Sequence, residues 1–104
     1  LEVKSVTFVE NGIAQFPDAV TLRGMNHAKA LMDLVDSGEH AGILFVCQRP
    51  DALSFEPMWR RDPNFSFALF DAHKVGVKVW CITLNISQTE ITFNKEIPVN
   101  LEKR

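Results

Sequence analysis

Glu2 and Lys4 stand two residues apart in a stretch that reads as a β-strand, so both side chains project from one face. A carboxylate beside an ammonium on one strand is the core of a metal-dependent phosphodiesterase site. The carboxylate holds a divalent cation, and the cation activates water and neutralises charge on the phosphate. The lysine orients the nucleophile or stabilises a developing oxyanion. On spacing alone, a surface charge pattern explains Glu-x-Lys equally well. Val6 and Phe8 continue the same face into an expected core, which makes a plain surface pair a weaker explanation.

Other residues suit anion contacts. Asp18, in Phe16-Pro17-Asp18, reads either as a turn residue or as a member of a phosphate site near a helix start. Arg23 and His27 are one turn apart at the edge of a helix's apolar arc, near its N-terminus, where anions are favoured. Arg49, Arg60 and Arg61, with Trp59, make a local basic-aromatic cluster that could grip a sugar-phosphate backbone or stack on a base. Pairing of Arg60 or Arg61 with Asp62 or Glu56 is the competing reading. No Ser-His-Asp triad, phosphate-cradling glycine loop or zinc ligand set is visible.

Elements that would position these groups follow from periodicity. Residues 2–9 read as a strand with Glu2, Lys4, Val6 and Phe8 on one face and Val3, Thr7 and Val9 on the other. Asn11-Gly12 is a hairpin signal, and Ile13 to Phe16 the return strand. Thr21 to Asp36 reads as a helix closed by Gly38, with Met25, Ala28, Leu31, Met32, Leu34 and Val35 on its apolar arc. Gly42 to Cys47 is a continuous apolar run, suited to a strand buried on both sides. The stretch 48–63 reads as a long loop, a length that is uncommon without a function. Asn64 to Val75 is a second helix, closed by Gly76, and Val77 to Leu84 a further strand. Short strands near 90–93 and 97–101 form an expected final hairpin. The order β-β-α-β-α-β-β-β predicts an α/β domain with a mixed β-sheet flanked by two main helices, one on each face, and a parallel right-handed crossover between 42–47 and 77–84.

Composition bounds the alternatives. The chain has 104 residues, 46% hydrophobic and 23% charged, which suits one small globular domain over 1–104. A formal charge of −2 argues against coating nucleic acid or anionic membrane by bulk charge, so any anion site must be local. No apolar run approaches the roughly 18 residues needed to cross a bilayer, and no membrane partner is expected. Cys47 and Cys81 sit in apolar runs without a CxxC, and read as buried reduced thiols of a cytoplasmic protein. No leader is read at Leu1-Glu2-Val3-Lys4. A domain opening in mid-strand reads as cut from something longer.

The chain resembles the bacterial sugar fermentation stimulation protein family. The resemblance rests on Glu2-Val3-Lys4-Ser5-Val6-Thr7, Phe16-Pro17-Asp18-Ala19-Val20-Thr21, Arg23-Gly24 and His27. It continues through Phe45-Val46, Gln48-Arg49-Pro50-Asp51-Ala52, Phe55, Pro57, Asp62-Pro63 and Gly76-Val77, and so covers nearly the whole chain. It implies the C-terminal domain of a longer protein, with a restriction-endonuclease-like fold of the PD-(D/E)xK kind. Glu2 and Lys4 match the Glu-x-Lys element. It further implies DNA binding and a role in regulating sugar catabolism, maltose use in particular. Two departures stand out. The metal-binding Asp of the family is expected on a strand before residue 1, which leaves the fold incomplete at its N-terminus and the metal site half present. Met25-Asn26 stands where a basic residue is usual before His27.

Two main readings follow. In the first, the domain binds DNA through Lys4, Asp18, Arg23, His27, Arg49, Arg60 and Arg61. In the second it is a divalent-metal nuclease: Glu2 holds Mg2+ or Mn2+ with the upstream acid, Lys4 steadies the attacking water, and His27 or Arg23 neutralises the phosphate. A non-catalytic interaction domain is the third. The exposed edge of strand 2–9 needs cover, and a second copy of the chain would provide it.

Overall fold

A computed structural model describes residues 1–17 and 19–102, and builds nine elements. They are β1 (Glu2–Val6), β2 (Phe8–Glu10), β3 (Ile13–Phe16), α1 (Leu22–Asp36), β4 (Gly42–Cys47), β5 (Ser54–Pro57), α2 (Pro63–Val75), β6 (Lys78–Ile86) and β7 (Ile91–Ile97). The mixed α/β class holds, with differences in how the strands are shared out. The strands form two sheets, ordered β1-β4-β6-β7 and β2-β3-β5. In the larger sheet β1, β4 and β6 are parallel and β7 is antiparallel to β6. In the smaller, β2-β3 is antiparallel and β3-β5 parallel.

The expected strand 2–9 is two strands broken at Thr7. Val6 is the last inward residue of the larger sheet, and the chain then crosses to the smaller one. That crossing flips the alternation. Val9, not Phe8, turns to the core, while Phe8 lies beside Gln15 and Glu56 on the outer face of the smaller sheet. The stretch 48–63 is not all loop. Ser54–Pro57 is β5, too short to show a period in the sequence and held by parallel pairing to β3. The expected hairpin from 90–93 and 97–101 is replaced by one strand, Ile91–Ile97, paired to β6, with a single bridge from Val99 to Phe55.

Local signals fix the helices. Thr21 caps α1, its hydroxyl accepting from the Gly24 N–H at 2.9 Å. Asp62 caps α2 through Phe65 N–H at 3.0 Å, Pro63 occupies the first turn, and Gly76 ends the helix at φ 119°, a left-handed conformation that favours glycine. Both parallel crossovers step the same way across the sheet, so with right-handed connections both helices fall on one face. There they pack on each other, correcting the expectation of one helix per face.

The core lies on that same side. Ile43, Phe45 and Cys47 of β4 alternate inward beside Val6, Cys81 and Thr83. Phe45 stacks on Phe55 with ring centroids 4.3 Å apart, and Phe16 bridges Phe45 and Phe65 at 5.5 and 5.3 Å. One aromatic cluster thus joins the larger sheet, the smaller sheet and α2. The opposite face of the larger sheet, carrying Val3, Leu44, Val46, Trp80 and Ile82, faces no other described element, so β4 is fully buried on one face and not on both as its apolar run led us to expect. No helix among the described residues is long and apolar enough to cross a membrane.

Candidate functional site

Register decides where Glu2 and Lys4 point. Glu2 pairs with Ile43 and Lys4 with Phe45, so both charged side chains share the inward face of β1 with Val6. They lie at the sheet's edge, where the core thins and α1 crosses. Both are half-buried.

His27, on the second turn of α1, meets them there. The Lys4 ammonium donates to His27 Nδ1 at 2.8 Å, across 23 residues of sequence. The same Nδ1 lies 3.7 Å from Glu2 Oε2. The shorter contact decides its role: an Nδ1 that accepts from an ammonium presents a lone pair, so it does not also donate to Glu2. His27 therefore carries its ring proton on Nε2 while this contact stands. Burial pushes Lys4 below the usual lysine value; the Glu2 carboxylate pulls it back up and the Arg23 guanidinium adds to the depression. Glu2, Lys4, Arg23 and His27 thus form one electrostatically connected group.

The other expected site residues are placed differently. Asp18 lies outside the described residues. Arg49 is held by a neighbour: its Nη2 donates to Asp51 Oδ2 at 2.6 Å and its Nε to Oδ1 at 3.1 Å. That bidentate pair holds the Asp51 carboxyl below its usual range. Arg60 and Arg61 are exposed at the turn between β5 and α2. Asp62 is not their counter-ion. Its two oxygens accept from Phe65 N–H and from Thr21 N–H at 2.8 Å, stapling the start of α2 to the start of α1. Arg23 and Arg60-Arg61 flank that staple from either chain segment.

Around Arg60 and Arg61 the fold gathers Trp59 and Glu56, both singled out in the sequence, with Phe8, Glu10, Gln15, Pro57 and Met58, whose part in a site sequence reasoning missed; together they line a cavity of about 550 Å3. Phe8 and Glu10 share a face by strand alternation, a signal present in the sequence but masked while Phe8 was assigned to the core.

A divalent cation of the Ca2+ or Mg2+ class takes six or more oxygen ligands, several from carboxylates. Among the described residues, no group of three His, Cys, Asp or Glu side chains could hold a metal ion. Glu2 supplies one carboxylate, and the nearest imidazole nitrogen is engaged by Lys4. The described residues therefore do not make a complete metal site.

Comparison with known proteins gives a consistent match. The family model of the sugar fermentation stimulation protein RE domain matches residues 1–90. A sugar fermentation stimulation protein homolog of Clostridium tetani is 43% identical over 101 residues, covering 97% of this chain and 44% of that protein. A homolog from Saccharolobus solfataricus is 42% identical over 99 residues, covering 95% of this chain and 41% of its own length. The chain thus spans less than half the length of these relatives. The structure of Pyrococcus furiosus SfsA in complex with Ca2+ matches with a TM-score of 0.91 at 31% identity, over 95% of this chain and 43% of that one.

Proposed function

The chain belongs to the sugar fermentation stimulation protein family and has its restriction-endonuclease-like α/β fold, and from that premise we propose that it binds DNA through local phosphate contacts, in the service of regulating sugar use. The observation that carries this reading is the grouping of Lys4, Arg23 and His27 on the inner edge of β1. A half-buried ammonium is held in place by an imidazole, with a guanidinium one helical turn away. Such preorganised donors suit phosphate oxygens. Arg60 and Arg61 extend the basic surface past the Asp62 staple. With few contacts and a net charge of −2, affinity is modest and falls steeply with salt. Maltose use as the regulated process rests on the family resemblance alone.

The test is fluorescence anisotropy on a labelled duplex across a salt series. Each phosphate contact removed lowers the log K against log salt slope by about 0.9. Lys4→Ala and Arg23→Ala should each flatten the slope by about that amount, while Lys29→Ala, on the solvated face of α1, should not. Equal slopes for all three would overturn the assignment of contacts.

Glu2 beside Lys4, and the Ca2+ complex of the Pyrococcus furiosus protein, favour a second reading as a divalent-metal nuclease. Its other ligands would have to come from beyond the described residues. Plasmid cleavage that requires Mn2+ and disappears in both Glu2→Gln and Lys4→Ala would install this reading. Duplex binding without cleavage would leave the first.

A further inference from the structure

We propose that the cavity on the outer face of the smaller sheet is a nucleotide subsite, taking one unpaired nucleotide unit with its base inside and its phosphate on Arg60 and Arg61. The cavity shares no residue with the Glu2, Lys4, Arg23 and His27 group. The proposal rests on the nucleic-acid reading only for its ligand class.

The cavity measures about 550 Å3, within the range that holds a small ligand. Its floor is a cross-strand row, Phe8 beside Gln15 beside Glu56, fixed by the pairing of three strands. Its wall is the turn that follows β5. That turn is held by backbone bonds from Met58 N–H to Phe16 O at 2.9 Å, Arg61 N–H to Met58 O at 3.1 Å and Asp62 N–H to Met58 O at 3.0 Å. The two arginines are therefore presented from a braced backbone, not a loose loop.

The lining divides by chemistry. Phe8 and Trp59 are flat apolar rings, suited to a base. Trp59 packs edge-to-face with Phe67 at 4.9 Å, and among the described residues its buried indole N–H has no hydrogen-bond partner. Glu10 and Gln15 offer acceptors, and Arg60 and Arg61 offer guanidinium donors for an anion. Aromatic face, acceptors and anion clamp together describe a nucleotide better than either an apolar ligand or a bare phosphate. Guanine is the base whose edge presents two adjacent N–H donors to a carboxylate, so guanosine 5′-monophosphate is the first probe.

The experiment is titration of the full chain in EDTA, followed by calorimetry and by tryptophan fluorescence in a Trp80→Phe background. That background leaves Trp59 as the sole tryptophan, since the chain has two. Saturable quenching by guanosine 5′-monophosphate, weakened at least tenfold by Arg60→Ala with Arg61→Ala and unchanged by Lys74→Ala, is the expected result. Ribose 5-phosphate and inorganic phosphate should bind at least tenfold more weakly. A short guanine-containing single strand separates the sources. Tighter binding than the free nucleotide assigns the subsite to a strand, and equal binding assigns it to the free molecule. No saturable binding of either, an equal response to ribose 5-phosphate, or indifference to the paired arginine change overturns the proposal. A chain that shifts duplex DNA but takes no nucleotide sinks this inference alone. One that takes nucleotide but shifts no duplex sinks the DNA reading alone.

Discussion

Asp62 carries more structure than its exposed neighbours Arg60 and Arg61. It is 3% exposed, and its carboxylate closes two orphan N–H groups on two helices. Asp62→Ala removes the α2 cap and the staple to Thr21 together. A cap is worth about 1 kcal/mol, and the part-buried Thr21 N–H left unpaired costs about 1–2 kcal/mol more, toward the low end of the range for a buried donor. The expected loss is roughly 2–3 kcal/mol, read as a lower urea midpoint; a loss below about 1 kcal/mol would mean the staple is idle. The two thiols give a pH signature. Burial raises Cys47 above its ordinary value and pushes Cys81, with Cys47 adding, from 9.0 up to about 12. The folded chain keeps these protons where the unfolded chain loses them. Stability therefore falls as pH rises from about 9 toward 12, and is unaffected by them below that window. Urea midpoints at pH 7.5 and 10 should differ less in Cys81→Ala than in the wild type. Identical pH slopes would contradict the sign.

At the scale of elements, the junction of α1 with α2 is closely packed. Gly24 is buried there, and a Cβ on it would lie 2.8 Å from Thr21 Cγ2 and 3.1 Å from Phe65 Cδ1. Helix propensity favours Ala over Gly by about 1 kcal/mol, while overpacking costs about 1–3 kcal/mol. Packing should win, because one obstacle is a ring clamped in the Phe16–Phe45–Phe55 cluster. Gly24→Ala is expected to destabilise by up to about 2 kcal/mol in urea unfolding. A stabilised variant would show that the junction yields. Since this junction sets the pitch of α1, it also sets where Arg23 and His27 meet β1.

For the whole molecule, the informative feature is the uncovered face of the larger sheet. Ile91, Phe93 and Val3 are 66%, 63% and 57% exposed, and Trp80 lies close over Gly42 on the same side. Contiguous apolar surface of this kind associates. The 104-residue chain should show a weight-average mass that rises with concentration in sedimentation equilibrium, and Phe93→Lys with Ile91→Lys should return it toward a monomer. A wild-type chain that stays monomeric at all concentrations would rule out pairing through this face.

Legible along the chain were the α/β class, the course of both helices with Gly76 closing the second, the apolar run of β4, the alternation of β6, the buried thiols and the shared face of Glu2 and Lys4. Each is a local property: a period, a cap or an apolar run is written in neighbouring residues. Tertiary structure alone decided the rest. The break at Thr7 turned Phe8 outward because the chain changed sheets, and β5 exists only because β3 offers it an edge. Both helices share one face because two crossovers step in the same direction. His27 became the partner of Lys4, and Asp62 of Thr21, across 23 and 41 residues. Such pairings depend on how elements pack in space, and no spacing along the chain encodes them.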